Sequence, residues 1–242
     1  MPVTPPDTPF QMQSWIDGRQ LAAAFRSSGR LHIPQFLVPA GAQLLYEYLA
    51  KDASWSLVVH DGKAVREAQP AIRRQFPQLD AELASVAYGS APERFQFLYE
   101  CERAPDGPAE RAANPTPLNR FLDFVNSRAF IGFIRQMSGI DSITWADGQA
   151  TRYRPGDFLT IHNDFQADKK RRLAYVLNLT PLWKPDWGGL LQFINAEGNV
   201  AEAYTPRFNA LNVFTVPQLH SVSIVTPFAQ ALRYSITGWL RE

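Results

Sequence analysis

The stretch ITWADGQATRYRPGDFLTIHNDFQADKKRRLAYVLNLT, residues 143–180, reads as short β-type runs at 143–147, 151–161 and 172–180. Asp147-Gly148 and Pro155-Gly156 mark turns between them. The same rhythm continues through 189–195, 199–204, 210–216, 220–226 and 231–240. Asp186-Trp187-Gly188-Gly189, Glu197-Gly198-Asn199, Pro206, Pro217 and Pro227 supply the breaks. Eight short strands at this spacing predict a sandwich, jelly roll or barrel. The helical segments come first in the chain, so they cannot alternate with the strands as βαβ units. The expected fold is an all-β core with flanking helices. Its centre is a double-stranded β-helix (jelly roll, cupin-like) over 141–242, with N-terminal helices packed on one face.

Working back from this core, residues 1–140 read as a helical and strand extension that supports the barrel. The proline-rich residues 1–10 read as a draped arm. Apolar spacing predicts helices over 11–29 (interrupted at Gly18), 39–49, 69–88 and 117–138. Strands are expected near 31–36, 54–60 and 95–101, with an Asp61-Gly62 turn and a surface loop over 102–116. No composition shift or repeat divides the chain, so 1–242 reads as a single catalytic domain.

The chain has 242 residues, 45 % of them hydrophobic, and 24 basic against 23 acidic groups give a net charge of +1. This excludes a disordered chain, a charged tail and a coiled coil, and bulk charge offers no argument for nucleic acid. The single cysteine, Cys101, excludes an intrachain disulfide and a cysteine-based zinc cluster. No run approaches the roughly 18 apolar residues of a membrane span, and the first residues do not read as a signal peptide. The expected location is cytoplasmic.

His162 and Asp164 stand two apart, so on an extended chain they point to one side and can offer an imidazole nitrogen and a carboxylate oxygen to one metal. Alone, the pair also reads as a hydrogen-bonded loop. His220 opens another strand-like run, and in a closed double sheet it can meet the pair across the interior. Two histidines and a carboxylate make a facial triad suited to non-heme Fe(II), with zinc as the rival metal. His32 and His60 read as surface or packing residues. On the last strand, Leu232, Tyr234, Ile236 and Leu240 share one face, and Arg233, Ser235, Thr237 and Trp239 the other. If the second face points inward, the Arg233 guanidinium needs an anion, because an unpaired buried charge costs several kcal/mol. A small dicarboxylate fits its planar fork, and Ser235 adds a hydroxyl two residues on. Tyr153, taken to lie on the strand preceding His162, can donate to the same carboxylate. Tyr175 and Asn178 occupy opposite faces of the run 172–180, and Asn178 is the candidate for a ligand-positioning amide.

These residues together resemble the Fe(II)- and 2-oxoglutarate-dependent dioxygenases, most closely the prolyl 4-hydroxylase-like branch. The matching segments are YRPGDFLTIHND (153–164), RLAYVLNLTPLW (172–183), WGGLLQF (187–193), HSV (220–222) and RYSITGW (233–239). GRLHIPQFL (29–37) resembles the segment that opens such catalytic domains. The resemblance implies His162, Asp164 and His220 as the catalytic iron ligands. It implies Arg233 on the distal carboxylate of 2-oxoglutarate, assisted by Ser235 and Tyr153. O2 and 2-oxoglutarate are the implied cosubstrates and ascorbate an accompanying reductant. The carboxylate at 164 distinguishes the chain from related halogenases, which carry a small residue there.

The implied reaction is hydroxylation of a C–H bond, first of a peptidyl prolyl residue, with release of succinate and CO2. The same chemistry on a small molecule or on another amino-acid side chain is the nearest alternative. A cupin-type metal hydrolase or isomerase, and a non-enzymatic β-barrel binding module, are the more distant ones. Lys169, Lys170, Arg171 and Arg172 read either as a solvated loop or as a steering patch at the barrel mouth. Trp183 and Trp187 either rim a substrate groove or pack a turn. Residues 56–68 and 102–116 are the lid candidates.

Overall fold

Asp17 accepts a hydrogen bond from the Arg19 N–H and caps the helix α1 (Gly18–Ser28) in a computed structural model that describes residues 9–61 and 63–242. The expected arm over 1–8, and Gly62 of the expected turn, lie outside the described residues. Gly18 therefore opens its helix instead of interrupting it. The later helices are α2 (Pro39–Lys51), α3 (Pro70–Gln75), α4 (Leu79–Ser90), α5 (Pro108–Ala113), α6 (Pro117–Val125) and α7 (Arg128–Ser138). Periodicity over 117–138 predicts one helix. The chain makes two, because Ser127 leaves helical geometry and caps the second by accepting from the Phe130 N–H. The loop expected over 102–116 contains α5. Its Arg111 is buried, donating to Asp123 and to the carbonyls of Pro105 and Asp106.

The strands are β1 (Arg30–Ile33), β2 (Ser56–His60), β3 (Val65–Ala68), β4 (Phe97–Arg103), β5 (Trp145–Ala146), β6 (Gln149–Tyr153), β7 (Phe158–His162), β8 (Arg171–Asn178), β9 (Leu191–Ile194), β10 (Val200–Tyr204), β11 (Ala210–Thr215), β12 (His220–Val222) and β13 (Arg233–Arg241). The main path runs β1-β11-β8-β13-β6-β4-β7-β12-β9-β10, mainly antiparallel, with β2 and β3 added beside β4 and β5 beside β13. It curls until it nearly closes as a double-stranded β-helix. Side chains span the seam between its end strands: Arg30 pairs with Glu202, and His32 stacks on Tyr204 at 4.9 Å.

Two corrections follow from this pairing. The run 151–161 is two strands, β6 and β7, and they do not pair with each other. β4 lies between them, its Glu100–Arg103 half on β6 and its Phe97–Leu98 half on β7. The first 140 residues thus supply β1 and β4 to the barrel wall itself, beyond the outer helix layer.

Alternation along β8 separates two packing layers. Leu173, Tyr175 and Leu177 join Phe25, Leu45, Phe121, Phe130 and Ile134 in the large core beneath the helices. Ala174 and Val176 face inward with Leu191, Phe193 and Phe214. β13 follows the same rule: Tyr234, Ile236 and Leu240 meet the helix layer, and the polar face of Arg233 and Ser235 turns inward. Among the described residues no helix is long and apolar enough to cross a membrane.

Candidate active site

His162 ends β7 and His220 begins β12, and the two residues face each other in antiparallel register with ring centroids 4.1 Å apart. Asp164 lies beyond the end of β7, where its φ of +60° carries it into the left-handed region. Strand alternation therefore does not bring the carboxylate beside His162, as the sequence suggested; a reversal of the chain does. Asp164 Oδ1 lies 3.4 Å from His162 Nε2, and Oδ2 lies 3.4 Å from His220 Nε2. One donor atom from each side chain falls within 4.8 Å of the others, forming a two-histidine, one-carboxylate facial triad.

The protonation pattern suits a metal. His162 Nδ1–H donates to the Thr160 carbonyl at 3.0 Å, and His220 Nδ1–H to the Gln218 carbonyl at 2.8 Å. A carbonyl only accepts, so each Nε2 is left with its lone pair toward Asp164. Burial, reinforced by the neighbouring His162, pushes His220 down to about 4, which keeps it neutral. Burial acts to raise Asp164, but in the acid range where it titrates, hydrogen bonding from His162 and the charges of both imidazoles outweigh burial and hold the carboxyl below its usual value.

The triad lies in a cavity of about 470 Å³ enclosed between the two halves of the sheet. Arg233 also lines this cavity and is only 2 % exposed. Its Cζ sits 4.8 Å from the centre of the Tyr153 ring, its register partner on β6. Among the described residues no carboxylate lies within 4.0 Å of it, and its Nε has no hydrogen-bond partner. Burial lowers its pKa. A buried guanidinium without an acid is the mark of a site shaped for an anion, and its planar fork matches a carboxylate. Gly189, at φ +62°, lets the turn pass behind this arginine. A Cβ there would stand 3.2 Å from both Arg233 Cδ and Trp183 Cζ2.

Ser235 and Tyr153 both line the cavity beside Arg233. The Ser235 hydroxyl is 2.7 Å from that of Thr151, a buried residue absent from the sequence expectations. Its signal was available, because Thr151 shares a face of β6 with Tyr153. Tyr153 is buried and its phenol is pushed well above its ordinary value by desolvation, so it remains a donor. Asn178 stands apart. It is opposite Ser235 in register and on the inner face of β8, yet it does not border the cavity; its Nδ2 donates to the Ala210 carbonyl at 3.3 Å. Tyr175 points to the helix layer, where its hydroxyl donates to the Asp147 carbonyl.

Sequence reasoning also missed the walls around the triad. Phe95 leans on the His162 ring at 5.1 Å and Phe214 on the His220 ring at 4.6 Å. Tyr99 stacks on Tyr153 at 5.3 Å. The basic run divides: Lys169, Lys170 and Arg172 lie at the surface or its margin, whereas Arg171 turns into the cavity wall with its Cζ 3.5 Å from the Trp239 ring. Trp183 and Trp187 pack edge to face at 5.4 Å, and the Trp183 indole N–H holds the Gly188 carbonyl. They build the turn behind Arg233 and do not line the cavity. From the two lid candidates the cavity takes Val58 and Val65 of the β2–β3 hairpin and, from 102–116, Arg103 alone.

Residues 148–241 match the family described as the 2OG-Fe(II) oxygenase superfamily. A mouse protein, prolyl 3-hydroxylase OGFOD1, is 28 % identical over 168 residues, which are 66 % of this chain and 29 % of that protein. The chain thus spans under a third of the length of this curated relative. A Pseudomonas putida prolyl-4-hydroxylase shares the fold with a TM-score of 0.57 at 20 % identity, covering 93 % of this chain and 98 % of the other. A Trichoplax adhaerens prolyl hydroxylase, in complex with a hypoxia inducible factor oxygen degradation domain peptide fragment, does so with 0.59 at 19 %, covering 93 % and 88 %.

Proposed function

The chain belongs to the Fe(II)- and 2-oxoglutarate-dependent dioxygenase superfamily, and from that premise we propose that it hydroxylates a prolyl residue presented in a peptide or protein. The observation that carries this reading is the make-up of one cavity wall in two parts. The two parts are the anion-seeking Arg233 over the Tyr153 ring, and the aromatic side chains Phe95, Phe97, Tyr99 and Trp239, which line the same cavity as the triad. Flat aromatic faces suit a compact, apolar ring such as pyrrolidine. The names of the mouse, Pseudomonas and Trichoplax relatives agree with a prolyl substrate.

In this reading His162, Asp164 and His220 are the metal ligands. Arg233 receives the distal carboxylate of 2-oxoglutarate, with hydroxyl donors from Ser235, Tyr153 and Thr151. Asn178 takes no part in it. The bound iron and cosubstrate supply oxidative decarboxylation coupled to C–H hydroxylation, using O2 and releasing succinate and CO2. The chain's own residues do the rest. The carbonyls of Thr160 and Gln218 fix the imidazole tautomers, Arg233 and its hydroxyl neighbours orient the cosubstrate, and the β2–β3 hairpin contributes Val58 and Val65 to the cavity wall. Ascorbate would serve to keep the metal reduced. The lone buried Cys101 suits a reducing compartment such as the cytoplasm. Residues 1–242 act as one catalytic domain, since β1 and β4 are built into the same sheet as the later strands.

The test is succinate release across a panel of prolyl peptides, free amino acids and small acids, with the product mass measured. A prolyl peptide gaining one oxygen in step with succinate is the expected result. Coupled turnover confined to a free small molecule would replace the peptide reading with the small-molecule alternative.

A further inference from the structure

Asp164 is the one triad member outside a strand, and its left-handed backbone has no ladder partner to hold it. What does hold its peptide comes from seven residues on, at the first residue of β8. Arg171 Nη1–H donates to the Asp164 carbonyl at 3.1 Å, while the guanidinium lies flat on the Trp239 indole with Cζ 3.5 Å from the ring centre. Arg171 is itself well anchored. It opens β8, pairs with Arg241 on β13, and follows Lys169 and Lys170, whose carbonyls accept from Arg241 Nε and from the Glu242 N–H. Within the turn itself, the Phe165 N–H donates to the Asn163 side chain.

We infer that Arg171 is a positioning residue for the metal centre: stacked on Trp239, it clamps the Asp164 backbone in the left-handed conformation that turns the carboxylate back toward His162 and His220. The inference rests on the reading of the triad as the metal site. A left-handed aspartate is a minority state of a free loop, so a rigid anchor on its carbonyl selects the competent orientation before metal arrives. Arginine is required because the stacked planar fork fixes the direction of the donated hydrogen bond, which a lysine ammonium on a flexible stem does not.

The test compares wild type, Arg171→Met, Arg171→Lys and Asp164→Ala by Mn(II) affinity and by hydrogen exchange of the metal-free proteins. Methionine keeps an unbranched stem against Trp239 but removes the donor. The expected result is faster exchange confined to 163–170 and Mn(II) affinity lowered about 10- to 100-fold in Arg171→Met, with Arg171→Lys in between. Wild-type exchange and affinity in Arg171→Met would overturn the clamp, and so would faster exchange spread equally over 171–178 and 233–241. If Arg171→Met does not fold, Arg171→Lys carries the same two readouts. If wild type itself fails to bind Mn(II), the metal reading fails, while exchange over 163–170 still decides the clamp.

Discussion

The guanidinium of Arg233 lies over the ring of Tyr153, 4.8 Å from its centre, in the wall of a cavity where no carboxylate among the described residues pairs with it. The folded chain thus bears the cost of a buried charge whose natural partner comes from outside. Removing that charge should separate cosubstrate binding from both metal binding and stability.

For Arg233→Met we expect 2-oxoglutarate affinity to fall by at least about 10-fold, from the loss of a charge-assisted pair of hydrogen bonds. Mn(II) affinity should be retained, and the unfolding midpoint without ligand should be no lower than wild type. The thermal stabilisation that 2-oxoglutarate gives the wild type, about 2.7 kcal/mol at a hundredfold excess over Kd, should fall to about 1.4 kcal/mol or less at the same concentration. Calorimetric titration and thermal unfolding check these outcomes.

Gly189→Ala should act on the same subsite without touching the triad. The new methyl group meets Arg233 Cδ and Trp183 Cζ2 at 3.2 Å, and the positive φ adds roughly 1–2 kcal/mol of backbone strain. Affinity for 2-oxoglutarate should drop more than affinity for Mn(II), and the melting temperature should fall. Equal losses of both affinities would argue against a local displacement of Arg233.

Glu100 is buried between Arg73 and Arg152, at 2.8 Å and 2.5 Å, with Arg154 at 3.6 Å. It ties β4 and β6 to α3, outside the cavity. Glu100→Gln leaves Arg152 without its acid, while Arg73 and Arg154 keep Asp80, and should destabilise the protein by about 3 kcal/mol in urea unfolding. The metal affinity of the fraction that remains folded should not change.

Asp157 closes the turn after β6, accepting from the Arg154 N–H at 2.8 Å, and burial pushes its carboxyl up to about 7. Its folded value is raised above the unfolded one, so the native state binds more protons between about pH 4 and pH 7. Stability therefore falls as pH rises through that window, by at most about 1.4 kcal/mol per pH unit from this group. Asp157→Asn, which keeps an acceptor for the Arg154 N–H, should gain on wild type as pH rises from 4 to 7. Parallel stability curves for the two proteins would show that Asp157 does not titrate there.

The strands of the C-terminal hundred residues were legible because alternation and turn residues act locally. In β13 that alternation sorted the side chains into two faces, and the structure sends Ile236 and Leu240 to the helix layer and Arg233 and Ser235 to the cavity. The insertion of β4 between β6 and β7 was not legible. FLYECER, the sequence of β4, is apolar enough for a strand anywhere in a sheet, and nothing local says which two strands it will separate. The stacking of Arg171 on Trp239 was hidden for the same reason: it depends on a partner more than 60 residues away.

The sequence by itself determined the residue types that the chemistry needs, the rhythm of short strands, and the division of the last strand into an apolar and a polar face, since side-chain alternation is a property of the extended backbone. Only the tertiary structure decided that His220 faces His162 across a register, and that a left-handed turn rather than a strand aims Asp164. It also decided that Arg233 finds no acid among the described residues. These are matters of which distant surfaces meet, and they are set when packing of the two sheets fixes the neighbours of every buried polar group.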